Sequence, residues 1–304
     1  MFDTKVVLPK LPDVELNKIT YKWLDIPYAE QSETQKLDIY APGTEKRYPT
    51  IVHFHGGAFA FGTRRDVNLI SMLRGINRGY VVVSVEYRMS SEARFPALVY
   101  DAKAAIRFLR AHAREYHIDP DRIAVWGPSA GGYLASMVGV TNHNPVFEDL
   151  RMGNETYSSE VQAVVDWCGP CGDFCKMDEA VLENGVGNAD HNDDDSPESR
   201  IMGAPIQSIP ELTHLASPYV HVTPNIPPFL IHHGGSDGTV PVQQSRTLAK
   251  AIEDIAGKDR VDYTEFPGKG HHGEPWYDEP QMSDRVFDFL DKYLKQKKKN
   301  EVKI

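Results

Sequence analysis

Two short stretches of this chain carry residues able to do covalent chemistry. Gly127-Pro128-Ser129-Ala130-Gly131 follows the strand-like run RIAVW and opens the helical pattern AGGYLASMVGV. A Gly-x-Ser-x-Gly placed between a strand and a helix lifts the serine hydroxyl onto a sharp turn. There it sits at a helix N-terminus, whose dipole favours nearby negative charge. Trp167-Cys168-Gly169-Pro170-Cys171 also follows a strand-like run, VQAVVDW. A Cys-x-x-Cys whose first thiolate lies at a helix N-terminus exchanges disulfides. The first stretch predicts nucleophilic acyl chemistry and the second redox chemistry.

A serine hydroxyl is a poor nucleophile until a base takes its proton and a carboxylate holds that base in the right tautomer. Where the nucleophile occupies a strand-to-helix elbow, the acid and then the histidine follow it along the chain. Of the twelve histidines only His271 and His272 lie beyond Asp237, in the loop GKGHHGEPW. The reading takes His271 as base and His272 as a neighbour that shapes the loop. Asp237, at the tip after PFLIHHGGS, is the favoured acid; Asp166 in VVDW is the rival. A second Gly-x-Ser-x-Gly surrounds Ser236, but TVPVQ follows it where an elbow helix should begin. That loop is therefore read as the source of the acid. For the oxyanion of a tetrahedral intermediate, HFHGGAFAFG offers closely spaced backbone N–H groups at Gly56, Gly57 and Ala58. The N–H of Ala130, next to the nucleophile, would complete the hole.

Positioning these groups requires a sheet with one common edge. QKLDIY, TIVHFH, YVVVSVEY, RIAVWG, VQAVVDW, PFLIHH and VDYTEF read as strands. Helical patterns lie between them at 68–78, 97–116, 130–140, 244–257 and 282–296. Near-continuous apolar strands alternating with helices predict a mostly parallel α/β sheet of about eight strands, covered on both faces. Residues 1–304 read as one domain, with the irregular segment 168–226 as an insertion over the carboxyl edge. Within it, NADHNDDDSPESR lacks the spacing of a calcium loop. It is read as an acidic loop leading into a helix, with Ser196 as N-cap and Pro197 at N1. The lysine-rich end, KQKKKNEVKI, is read as a solvated tail.

Composition narrows the partners. The 304 residues include 33 basic and 43 acidic side chains, a formal charge of −10, which argues against nucleic acid or an anionic bilayer. No run approaches the roughly 18 apolar residues of a membrane span. The start shows no basic segment followed by an apolar one, so the expectation is a cytoplasmic protein without a signal peptide. Three cysteines make a disulfide framework unexpected. His53 and His55 stand at i and i+2, but no third ligand at recognisable spacing accompanies them, and neither a metal nor a cofactor is expected. Aromatic residues cluster near the proposed catalytic groups, and Phe59, Trp167 and Trp276 are expected to bind substrate.

Together HGGAF, YRMSSEARFPALVYD, GPSAGG, GGSDGTVP and GKGHHG resemble, in kind and order, the hormone-sensitive-lipase-like esterase branch of the α/β-hydrolases. The likeness covers approximately residues 35–295. VVDWCGPCGDF, SPESRIMGAPI and ASPYVHVTP look most like bacterial acetyl and feruloyl esterases. The resemblance implies Ser129, Asp237 and His271 as triad, with Gly57, Ala58 and Ala130 as oxyanion donors. It also implies a small-molecule or oligosaccharide ester as substrate. Ala58 stands where many members carry a third glycine. WCGPC matches the thioredoxin sequence, yet the strand before it lies deep inside a larger parallel series. The redox reading is therefore set below the esterase one. An amidase or arylformamidase on the same triad, and a non-catalytic ligand-binding module, stay open beside it.

Overall fold

The computed structural model describes residues 9–295. The lysine-rich tail beyond them and the first eight residues lie outside this range. Eight strands form one sheet: β1 (Tyr21–Pro27), β2 (Lys36–Ala41), β3 (Tyr48–Phe54), β4 (Val81–Val85), β5 (Ile118–Pro128), β6 (Ala163–Trp167), β7 (Phe229–Gly234) and β8 (Val261–Phe266). Their spatial order is β1-β2-β4-β3-β5-β6-β7-β8. β1 and β2 run antiparallel, as do β2 and β4, and every other neighbouring pair is parallel. β3, β4, β6 and β7 are buried along their whole length, which is why their sequences read as near-continuous apolar runs.

Five helices cover the two faces: α1 (Ile70–Asn77), α2 (Ala97–Ala111), α3 (Ala130–Val140) and, near the C-terminus, two named below. Between β6 and β7 the chain adds α4 (Met177–Asn184), α5 (Pro197–Met202) and α6 (Pro210–Ala216). The last two covering helices are α7 (Gln243–Ile255) and α8 (Pro280–Leu294). Residues of α2, α3 and α7 pack in one apolar cluster and those of α1 and α8 in another. Every residue of α3 is buried, so this largely apolar helix behaves as core rather than as an amphipathic cover.

Two elements differ from expectation. β1 carries Lys22 and Asp25, ends at Pro27 and shifts register between Trp23 and Ile26. An edge strand with one wet face and a bulge has no clean alternation to read. The segment 168–226, irregular in the sequence, is a chain of short helices. Glycines in the left-handed region, Gly185 and Gly203, end α4 and α5 before either grows long enough to show periodicity. The N-cap expected at Ser196 is present, its side chain accepting from the Ser199 N–H, with Pro197 at the first turn.

Candidate active site

The carboxyl ends of β3, β5, β6, β7 and β8 bring the chemistry-bearing loops to one rim. At the end of β5 the chain turns directly into α3, and Ser129 at the turn has φ 54° and ψ −124°. A non-glycine residue at positive φ is held there against local preference. The Ser129 N–H donates to the Trp167 carbonyl at 2.7 Å, and its carbonyl accepts from the Tyr133 N–H at 2.9 Å. The flanking glycines are required by close approach of backbone. A Cβ on Gly127 would lie 2.3 Å from the Gly131 carbonyl, and one on Gly131 2.0 Å from the Phe54 carbonyl oxygen.

His271 reaches this serine from the loop after β8. Its Nε2 lies 2.9 Å from Ser129 Oγ and its Nδ1 2.6 Å from Asp237 Oδ2. With Nδ1–H donating to the carboxylate, Nε2 is left as the acceptor for the serine proton. The loop fits because Gly268 takes φ 71° and because Gly234 and Gly270 touch: a Cβ on Gly234 would meet the Gly270 carbonyl oxygen at 2.2 Å.

Asp237 is buried, and its other oxygen accepts from the N–H groups of Thr239 at 2.8 Å and Val240 at 2.9 Å. Burial alone would raise its pKa, but the facing His271 and His233 outweigh this and hold it below the ordinary 3.8. His233, which the sequence reading passed over, places Nε2 3.2 Å from Asp237 Oδ2 and 2.9 Å from the Val240 carbonyl. Ser245 Oγ donates to its Nδ1 at 2.7 Å. Burial also opposes charge on His271, yet Cys168 and Asp237 beside it raise its pKa well above 6.5. His272, next in sequence, is half-buried, and desolvation together with the neighbouring His271 pushes it down to about 3, which keeps it neutral.

The loop after β3 brings backbone donors to the same place. Gly57, Ala58 and Phe59 have φ of 126°, 49° and 58°, three consecutive residues in the left-handed region. Such a run turns successive N–H groups toward one concavity. Among the described residues no acceptor takes the N–H of Gly57, Ala58 or Ala130. A Cβ on Gly56 would stand 3.5 Å from Ser129 Cβ, which puts the loop against the nucleophile. Ala58, Phe59, Ser129 and Ala130 line one cavity of about 390 Å³.

Two expected substrate contacts are corrected. Trp167 and Trp276 do not line this cavity; both are buried among residues of the α8 face. Trp167 packs edge-on against Trp126 at 4.9 Å and against Tyr277 at 5.2 Å, and Trp276 lies 3.8 Å from Tyr277. Successive strand residues point to opposite faces, so nearness to the triad in sequence does not give the side. Phe59 does line the cavity. Residues between Asp190 and Glu198, part of the insertion expected over the carboxyl edge, line it as well.

The rival groups are engaged elsewhere. Asp166 accepts from the Gly169 N–H at 2.8 Å and from Ser136 Oγ and Cys171 Sγ, each at 3.1 Å. Cys168 and Cys171 are both free and buried. Burial and the neighbouring Asp166 push the Cys171 thiol up, the opposite of what disulfide exchange needs. The Ser236 N–H donates to the Lys269 carbonyl at 2.8 Å, tying its loop to that of His271. His53 pairs with Ser84 at 2.9 Å, while His55 lies 3.4 Å from Glu86.

The model of the BD-FAE family matches residues 37–252. The chain belongs to the BD-FAE family. This family assignment agrees with the α/β-hydrolase resemblance read from the five motifs. The chain is 33% identical over 227 residues to esterase LipC of Mycobacterium tuberculosis, covering 74% of this chain and 53% of LipC. It is 32% identical over 253 residues to the probable carboxylic ester hydrolase LipM of the same organism, covering 81% and 55%. The chain thus spans about half the length of the curated relatives it matches. Among solved structures, a truncated carbohydrate esterase from gut microbiota superimposes with a TM-score of 0.81 at 30% identity, covering 94% of this chain and 100% of that one. Thermogutta terrifontis esterase 2 phosphonylated by sarin gives 0.68 at 26% identity, covering 86% and 92%. No described helix is long and apolar enough to cross a membrane.

Proposed function

We propose that this BD-FAE chain is a serine carboxylesterase that hydrolyses short or aromatic acyl esters, of acetyl or feruloyl type, through an acyl-enzyme. The observation that carries the reading is the continuous hydrogen-bond path from Ser129 Oγ through His271 to Asp237. Ser129 Oγ attacks the ester carbonyl carbon while His271 Nε2 takes its proton. The resulting oxyanion is received by the N–H groups of Gly57, Ala58 and Ala130. The imidazolium, steadied by Asp237, returns the proton to the departing alcohol. Water, deprotonated by the same nitrogen, then releases the acid. None of these steps calls on a group beyond these side chains and backbone amides. In this reading residues 1–304 form one catalytic domain, and 168–226 supplies a wall of the pocket.

The relatives named esterases and the carbohydrate esterase structure support the reaction class. A fluorophosphonate probe tests the nucleophile. It is expected to add one adduct, mapped by mass spectrometry to the peptide bearing Ser129, and to leave Ser129→Ala unlabelled. Labelling that survives in Ser129→Ala would refute the reading. Matched p-nitrophenyl acetate and p-nitroacetanilide separate ester from amide hydrolysis.

A further inference from the structure

We propose that Cys168, Asp237 and His271 together form a binding site for a thiophilic divalent cation such as Zn²⁺, and that the bound ion stops catalysis. The ion is an inhibitor and takes no part in the reaction. The inhibition rests on the esterase reading above and adds a means of control at the same site; the binding stands by itself.

The three side chains come from three loops at the rim, and one ligand atom of each lies within 4.8 Å of the other two. Thiolate, imidazole and carboxylate are the donors that zinc takes in proteins, at about 2.3 Å to sulfur and about 2.0–2.2 Å to nitrogen and oxygen. Movements of less than about 1 Å bring this set to those lengths. Cys168 and Asp237 are buried, while the His271 side chain is 17% exposed, so an ion arrives past the imidazole. No lysine or arginine lines the cavity over Ser129, and a cation meets no like charge from those residues on its way in. Cys168 has φ 48°, a conformation that its surroundings impose, and its N–H donates to the His232 carbonyl at 2.8 Å. Its side chain belongs to the apolar cluster of α8, whereas Cys171 belongs to that of α2, α3 and α7. The thiol at 168 therefore faces the triad and not its neighbouring cysteine.

A second observation points to a ligand there. Tyr277 Oη is buried and, among the described residues, has no hydrogen-bond partner. Burial, then Cys168 and Asp237 beside it, raise its pKa well above 10, so it stays a donor. A buried donor without an acceptor is destabilising, and a thiolate held by an ion is the acceptor that this hydroxyl lacks. On binding, the Cys168 S–H bond breaks and its proton leaves to solvent. The ion displaces the hydrogen between His271 Nδ1 and Asp237 Oδ2, now 2.6 Å apart, and the ring carries its hydrogen on Nε2 instead. A neutral imidazole has one nitrogen lone pair to offer. With the ion holding it at Nδ1, an N–H faces Ser129 and the ring no longer accepts the serine proton.

The test measures turnover of p-nitrophenyl acetate by the purified chain with Zn²⁺ or Cd²⁺ in chelator-free buffer. Micromolar Zn²⁺ is expected to lower kcat by about tenfold or more, because a ring held by the ion is no base, and EDTA to restore it. Mg²⁺ and Ca²⁺, which favour oxygen donors, are expected to have no effect at the same concentration. Cys168→Ser is expected to raise the half-inhibiting concentration about a hundredfold, the cost of losing the sulfur ligand. Tyr277→Phe is expected to raise it about tenfold through one lost hydrogen bond to a charged group. Cys171→Ser and Cys175→Ser are expected to keep the inhibition of the parent chain. Every variant is read against its own rate without metal. Independently of turnover, Cd²⁺ is expected to add the ultraviolet absorption of a cadmium–thiolate bond at a single ion per chain, absent from Cys168→Ser. Equal half-inhibiting concentrations in the parent and Cys168→Ser, absorption that survives that substitution, or inhibition that EDTA leaves in place would each overturn the inference. If Cys168→Ser does not fold, Cys168→Ala makes the same comparison. Ester turnover untouched by either ion overturns the inference and leaves the esterase reading standing. The absorption with no turnover of any ester keeps the ion site and removes the esterase reading.

Discussion

The two sides of the cavity are built by opposite means. On the catalytic side, backbone passes so close to backbone that Gly57, Gly127, Gly131 and Gly234 each exclude even a methyl group. Ser129, Ala58 and Phe59 sit in backbone conformations that only their surroundings maintain. The opposite side is a run of short helices and exposed acids, Asp190 to Asp195, in which little prevents a change of side chain. Groups that must meet within hydrogen-bond distance are fixed by strand ends and forced turns. Groups that line the cavity away from the reacting atoms stand on a loop that can vary without moving them.

The largest effect should come from the catalytic side. Ser129→Ala is expected to lower kcat by about 10⁶, the scale seen when a triad loses its nucleophile. A steady-state assay on p-nitrophenyl acetate with an active-site titrant measures it. A loss below tenfold would show that chemistry lies elsewhere on the rim.

Asp237→Asn should follow, with kcat reduced about 10⁴-fold because His271 loses the partner that fixes its tautomer. The pH profile carries the sharper information. His271 must be neutral to act as base, and its pKa lies above 6.5 partly through Asp237, so kcat/KM should rise with pH through a value above 6.5. In the Asn variant that limb should move to lower pH. The linkage signs differ for the two groups. Asp237, depressed, adds stability that is present above 3.8 and is lost as pH falls through its folded value. His271, raised, adds stability that is complete below 6.5 and is lost as pH rises through its folded value.

The same contrast governs what the sequence made legible. Glycine spacing, chain order and strand ends located Ser129, Asp237 and His271, because forced turns leave few residue types possible. Seven of the eight strands were readable, β3, β4, β6 and β7 because burial on both faces demands near-continuous apolar runs and the edge strand β8 because Val261 and Tyr263 alternate with polar residues. β1 escaped because an edge strand tolerates Lys22 and Asp25. Trp167 and Trp276 were misplaced because linear proximity carries no information about which face of the sheet a side chain takes. His233 left no local signal: its contact with Asp237 depends on how β7 and the following loop fold back together. The wall at 188–198 was visible as acid-rich, but its place opposite Ser129 is set by α4, α5 and α6, whose short lengths hide their periodicity.

A smaller effect should come from Gly57→Ala. Its φ of 126° disfavours any side chain, and the added methyl would stand 1.9 Å from the Phe61 carbonyl oxygen. The loop must shift, and the N–H groups of residues 57 and 58 shift with it. Loss of about 10²–10³ in kcat, with KM little changed, is the expected signature of a displaced oxyanion donor. A rise in KM as large as the fall in kcat would point instead to a collapsed pocket.

The smallest effect tests whether the acidic side is dispensable to the fold. Asp195 is exposed and meets Arg200 at 3.4 Å, a surface pair of the kind that contributes little. Asp195→Asn is expected to change unfolding stability by less than about 0.5 kcal/mol, read from the urea midpoint at constant slope. Gly131→Ala, whose methyl would meet the Phe54 carbonyl oxygen at 2.0 Å, is expected to cost about 3 kcal/mol in the same measurement. The ratio of the two is the informative quantity. If both variants shifted the midpoint alike, the acidic run would be part of the scaffold and not a variable wall of the cavity.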